Sequence, residues 1–370
     1  MPSALSQSPE KATDILSSNR LPSVDALRGA AALIVFQFHY FGLVEPRIFG
    51  IGIWEGLQKL VTFSGSLGTN ILLLLSGYFI AVSLGSPRFE YLKFLGRKTE
   101  RLYRPYMFVL GCTLVFWAFV PGAAKDHPGQ SDFQYIFQNL ILIPEIFPGR
   151  PALTVTWTLS YIYAGYCLIP LLGLIKKRIL APAPLHWLWA LCIVVIFACN
   201  AFFGKPVARA AYIPAGCMLA TLTRDRACLV VRKTVFAGLL ACVMGLLAIR
   251  FVLFENPTLL SPNASLRQIV FVSLGISSML LLTLLVISAE QKWRFESIPI
   301  RFLRFVGRRG YSVYLWHGPV TKIIVGSTAV LTSGVVEERL GFVFVMLVCL
   351  CATLIVANVS YRFFETVPKS

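Results

Sequence analysis

Residues 267–288 read RQIVFVSLGISSMLLLTLLVIS, and after Arg267 and Gln268 no charged residue interrupts the stretch. At about 1.5 Å rise per residue such a run covers roughly 30 Å as a helix, the thickness of a bilayer's hydrocarbon core. Further blocks of this kind lie near 24–44, 62–84, 104–121, 154–175, 184–203, 207–222, 234–254, 311–330 and 340–361. The weakest are 24–44, which carries charges, and 207–222, which is short. Across all 370 residues, 56% are hydrophobic and only 14% charged, with mean hydropathy +0.72; soluble domains average about 25% charged. The pattern predicts an all-α, polytopic transmembrane helical bundle of about ten spans.

The formal charge of +17 invites a nucleic-acid reading, but the placement of the 34 Lys and Arg argues against one. If the amino terminus is cytosolic, the loops on that side hold 19 of them, six at 85–104 and six more at 289–309, against eight in the opposite loops. Such an excess is the positive-inside pattern. It puts both termini in the cytosol and makes the partner membrane lipid, with no nucleic acid. Residues 1–22 are polar throughout and lack the apolar core of a signal peptide, so they read as a disordered cytosolic segment ahead of one transmembrane domain, 23–370. The longest later stretch outside the spans, 122–153, is rich in Pro and Gly and leaves no room for an appended soluble domain.

Nine cysteines fall almost wholly inside apolar blocks without paired spacing. They read as small core residues, with neither a disulfide framework nor a metal site.

Chemistry begins in the first span, SVDALRGAAALIVFQFHYFGL (23–43). Arg28 and His39 are eleven residues apart, almost three whole turns, so they share a face about 16 Å apart along the axis. Asp25 lies near the same line. Ionisable residues in a span are costly and face a cavity, a partner or a pathway; the competing reading is that Asp25 and Arg28 snorkel at the boundary. A neutral imidazole in a dry pocket can take a proton from an alcohol, which makes His39 a candidate general base.

After the second span, Arg97, Arg101 and Arg104 fall at helical spacing just before Pro105, where the third span is expected to begin. Arginines three and four apart share a face and can hold phosphate oxygens bidentately, or anchor to anionic headgroups. The ninth span opens GRRGYSVYLWHGPV, which brings Ser312, Tyr314 and His317 together near one end. Lys322 and Arg250 also fall in or near spans; each could equally be snorkelling, and both are left out of the site.

These segments resemble one family. VDALRGAAALIVFQFHY (24–40), GTNILLLLSGYFIA (68–81), GRKTERLYRPY (96–106), TVTWTLSYIYAGY (154–166), GRRGYSVYLWHGPV (307–320) and YRFFETVP (361–368) are similar, in order, to the motifs of the acyltransferase 3 family. That family comprises integral-membrane acyltransferases, among them O-acetyltransferases of bacterial surface polysaccharides.

The resemblance implies transfer of an acyl group, acetyl by default, from cytosolic acyl-CoA to a hydroxyl of a glycan or lipid-linked saccharide, in the bacterial cytoplasmic (inner) membrane. The acyl-CoA would be a co-substrate, with no bound cofactor and no metal. It further implies His39 as base with Arg28 and Asp25 beside it, Arg101, Arg104 and Arg97 toward the donor's phosphates, and Trp157, Ser160, Tyr314, His317 and Glu365 in support. One departure stands out: many members carry a Glu after the Trp of the fourth span, whereas this chain runs Trp157-Thr-Leu-Ser160-Tyr161-Ile162 without a carboxylate. Asp25 and Glu365 are the available substitutes. The competing reading is a multi-span transporter or flippase of a glycan or acyl-linked substrate.

Overall fold

The computed structural model of the protein describes residues 21–43, 53–119, 131–142, 151–179, 184–203, 207–224, 233–259, 263–290, 297–331 and 338–366. Twelve α-helices and no strand occur among the described residues. They are α1 (Pro22–Leu43), α2 (Ile53–Leu84), α3 (Tyr91–Phe119), α4 (Asp132–Leu140), α5 (Thr156–Ile179), α6 (Leu185–Phe203), α7 (Tyr212–Arg224), α8 (Lys233–Glu255), α9 (Ala264–Glu290), α10 (Ile298–Arg308), α11 (Gly310–Leu331) and α12 (Glu338–Ser360). A short 3₁₀ turn, Ala208–Ala211, leads into α7, and a π-turn, Tyr361–Glu365, follows α12.

Eight helices are long and apolar enough to cross a membrane: α1, α2, α3, α5, α6, α8, α9 and α12. Of the other two expected spans, the one near 207–222 becomes α7, only 13 residues long. Most of α7 from Tyr212 to Ala220 is buried, and the helix packs along α2. Its apolar character therefore serves protein contact rather than lipid. The other, near 311–330, coincides with α11, a helix 22 residues long. The expected disordered segment, 1–22, falls almost wholly outside the described residues, and α1 begins at Pro22.

Two expectations about loops are corrected. Arg97, Arg101 and Arg104 do not lie in a loop, because α3 is continuous from Tyr91 to Phe119 with Pro105 inside it. The stretches read as loops at 122–153 and 289–309 contain α4 and α10. Both are short and amphipathic, and neither is apolar enough to register as a span. α4 is closed by a capping box in which Ser131 and Gln134 satisfy each other's backbone N–H groups. Asn139 in its last turn donates to Tyr135 O and accepts from Ala152 N, while the Tyr106 hydroxyl donates to Asn139 O. That knot fixes the segment leading into α5 against α3.

Because lipid tails are as apolar as Leu, membrane helices associate through close packing rather than through hydrophobic burial. Glycine supplies the closeness. A Cβ on Gly77 would stand 1.9 Å from Ile213 O, and one on Gly216 1.9 Å from Leu74 O, so α2 and α7 touch backbone to backbone. The α1–α10 crossing repeats the device: a Cβ on Gly29 would meet Leu303 O at 2.0 Å, and one on Gly307 would meet Asp25 O at 1.7 Å. Two large apolar clusters result, one around Leu73, Leu74, Tyr212, Ala215 and Met279, the other around Tyr106, Leu110, Leu159 and Leu315. α1 runs along their seam, with Val24 and Ala31 in the first and Val35 in the second.

Candidate active site

The polar stripe of α1 divides into two ends. At its start, Asp25 is buried and lies between two cations, Arg28 at 4.0 Å and Arg308 of α10 at 3.8 Å. The Arg28 guanidinium also stacks over Phe79 of α2, 4.3 Å from the ring centre. These two partners answer the snorkelling reading of Asp25: the carboxylate turns inward to hold α10 against α1.

The same end of the bundle gathers the second basic group. Arg101 stands 4.0 Å from Glu365, whose side chain is almost wholly covered. The Glu365 carboxylate accepts from both the hydroxyl (2.5 Å) and the backbone N–H (3.2 Å) of Ser312. The π-turn after α12 thus reaches the first turn of α11, and the Tyr311 hydroxyl, donating to Leu102 O, ties that turn to α3. Lys98 joins the group over the faces of Phe94 and Tyr166, with Arg28, Arg97 and Arg101 as its charged neighbours. Sequence reading counted Lys98 only as loop charge; its aromatic seat comes from α5, which no local pattern announces. Arg104 pairs with Glu100 one turn back on α3, and Arg97 is exposed. The outcome is a crowd of cations, Arg28, Lys98 and Arg101, with the two carboxylates of Asp25 and Glu365 as counter-charges.

At the far end of the stripe, His39 meets His317 of α11, ring centres 5.0 Å apart and planes inclined by 34°. His317 is 1% exposed, and neither of its ring nitrogens has a hydrogen-bond partner among the described residues. An unsatisfied buried polar group costs about 1–3 kcal/mol, so a fold that keeps one there has positioned it for something else. Tyr314, one turn earlier on α11, stacks at 5.8 Å from His317. Neighbouring Tyr40 anchors this end of α1 by donating to Phe342 O of α12. The structure therefore joins His39 to His317 and Tyr314, and places Arg28 and Asp25 elsewhere, three to four turns away along α1.

A cavity of about 50 Å³ is lined by the two neighbours of His317 on α11, Trp316 and Gly318, together with Thr113, Trp117, Thr154, Pro319 and Lys322; His317 itself does not line it. The Trp316 ring N–H is buried without a partner. Lys322 lies over Trp117 and within electrostatic reach of His39. Sequence reading set Lys322 aside, since nothing local distinguishes a snorkelling lysine from one beside a histidine.

Trp157 sits in the first turn of α5 with Tyr161 edge-on at 6.1 Å and Arg209 over its ring at 5.2 Å. The Ser160 hydroxyl donates to Thr156 O of its own helix. The neighbour that His39 does have is a second imidazole. Among the described residues, no group of three His, Cys, Asp or Glu side chains gathers as a metal site would require.

The fold and the site define a polytopic membrane protein with a paired imidazole at one end of a buried polar stripe and a cationic cluster at the other. The chain belongs to the acyltransferase 3 family, whose acyltransferase domain model matches residues 21–358. It is similar to the peptidoglycan O-acetyltransferase OatA of Listeria monocytogenes, with 25% identity covering 96% of this chain and 57% of that protein. It is also similar to the acyltransferase MdmB of Streptomyces mycarofaciens, 26% identical over 46% of this chain and 42% of that protein. The chain spans about half the length of these curated relatives. No solved structure matches it.

Proposed function

We propose that the protein is an integral-membrane O-acyltransferase of the bacterial cytoplasmic membrane. It would move an acyl group, acetyl by default, from cytosolic acyl-CoA to a hydroxyl of a glycan or lipid-linked saccharide. The observation that carries the reading is the pairing of His39 with the unpartnered His317 beside an aromatic-lined pocket, in a chain of this family.

In this reading both termini are cytosolic, and the cluster of Arg28, Lys98 and Arg101 faces the cytosol. Cations in that arrangement suit the phosphates of CoA, which Arg binds through paired N–H groups. His39 takes the proton of the acceptor hydroxyl; the freed oxygen attacks the thioester carbonyl, and the CoA thiolate leaves with the acyl carbon bonded to the acceptor. His317 packs against His39 and orients its ring. The Trp316 ring N–H and the Lys322 ammonium, both at the pocket, are the donors available to the developing oxyanion. Arg28 belongs with the donor's phosphates, because α1 carries it about 16 Å from His39.

The test is transfer of labelled acetyl from acetyl-CoA to surface glycan or lipid-linked saccharide by purified protein. Label in the acceptor supports the reading, whereas movement of unmodified substrate across vesicles would mean a transporter. Two substitutions divide the site. Arg101→Gln should raise the KM for acetyl-CoA about tenfold or more, the worth of a hydrogen bond to a charged group, with kcat within about twofold; a fall in kcat alone would make Arg101 merely a partner of Glu365. Trp316→Ala should raise the KM for the acceptor and leave that for acetyl-CoA unchanged.

A further inference from the structure

Arg250 lies deep in α8, a membrane-crossing helix, and is 1% exposed. One guanidinium nitrogen reaches the Ser66 hydroxyl of α2 at 3.4 Å, and the plane stacks 4.1 Å from the centre of Phe271 and 5.6 Å from that of Phe63. Its Nε and remaining Nη have no hydrogen-bond partner among the described residues, and neither has the hydroxyl of Tyr212, the first residue of α7. Space for these groups comes from Gly275 of α9, where a Cβ would stand 1.9 Å from the Tyr212 hydroxyl and 3.2 Å from the Arg250 guanidinium carbon. The free phenol and the free side of the guanidinium therefore converge.

No carboxylate answers this charge among the described residues. Glu255, the acid nearest in sequence, is engaged with Lys59 at 3.2 Å, and the charged neighbour of Arg250 is another cation, Arg209. An uncompensated guanidinium inside a span calls for an anion. Helix α8 packs mainly on α9, and Ile249 and Val252, on either side of Arg250, are half exposed on its outer face. Both lie on the face of α8 turned away from Arg250, so the guanidinium points into the bundle toward α9; in a membrane the abundant oxyanion is lipid phosphate, and a guanidinium edge with a phenol beside it matches two or three phosphate oxygens.

We propose that Arg250 and Tyr212, with Ser66 orienting the guanidinium, form a site for the phosphate of a membrane lipid, entered between α8 and α9. It stands at the depth of His39, since Gly65 next to Ser66 packs against Phe38 next to His39. The lipid is either an ordinary anionic phospholipid or a polyprenyl phosphate of the kind that carries saccharides. The site stands on Arg250's surroundings alone and does not depend on the acyl-transfer reading.

The test is native mass spectrometry of the purified full chain with phosphatidylglycerol, a polyprenyl monophosphate, or diacylglycerol, which has the tails without the phosphate. Wild-type protein should retain one of the phosphate lipids at least tenfold better than diacylglycerol, and whichever is retained identifies the source. Arg250→Gln should remove that preference, and Tyr212→Phe should weaken retention about threefold, as loss of one hydrogen bond would. Equal retention of all three lipids by wild-type protein overturns the proposal whether or not the variants fold. So does undiminished retention by a folded Arg250→Gln or Tyr212→Phe protein. Displacement by inorganic phosphate at the lipid's own concentration would overturn the assignment to a lipid.

Discussion

His39→Ala should lower acyl transfer by about 10²–10⁴-fold, the range over which a positioned general base contributes, while the protein stays monodisperse in detergent. His39 is only partly buried, and the hydrogen bond that ties that end of α1 to α12 comes from Tyr40 rather than from His39. Removing the imidazole therefore takes away chemistry and little structure. His317→Ala should also cost activity, but a smaller loss is expected, since His317 acts through the ring beside it. His317→Gln, which keeps a polar group of similar size, should recover part of what His317→Ala loses. Transfer by His39→Ala at the wild-type rate would dismiss the base and leave the stacked pair as packing.

Gly307→Val should produce the largest loss of folded protein. The added side chain would begin 1.7 Å from Asp25 O and 3.0 Å from Gly29 N, both main-chain atoms that cannot rotate aside. Overpacking costs about 1–3 kcal/mol where side chains can yield, and more where backbones must part. Parting α10 from α1 also carries Arg308 away from Asp25, so the protein that does fold should bind acyl-CoA more weakly. Gly111 and Gly245 supply the control. Nothing lies within 4 Å of a Cβ there, and Gly→Ala inside an open helix should be neutral or stabilise by up to about 1 kcal/mol. Equal melting temperatures for Gly307→Val and Gly111→Ala would contradict the backbone-contact account.

The long apolar helices and the face shared by Arg28 and His39 were legible because both depend on periodicity and length alone. Helices α4 and α10 were not, since eleven or fewer residues with one polar face look like loop beside twenty apolar ones. The short α7 looked like a weak span because burial by protein and burial by lipid select the same residues. The pairing of His39 with His317 was beyond local reading: 278 positions separate them, and only the seam along α1 brings them together. The same holds for Arg250, whose isolation from any acid among the described residues is a property of five elements at once. Where the sequence seemed to lack a partner carboxylate after Trp157, the fold supplies an imidazole from a different helix.

Along α1, the interval between the cationic cluster and the imidazole pair acts as a gauge. A donor whose phosphates rest among Arg28, Lys98 and Arg101 must carry its acyl carbon about 16 Å to reach His39, the rise of eleven helical residues. Only a long, slender tether between phosphate and acyl group spans that interval; acetyl phosphate, in which the two are adjacent, would sit at one end and leave the other untouched. The length of one helix would then discriminate among activated acyl compounds before any of them meets a catalytic group.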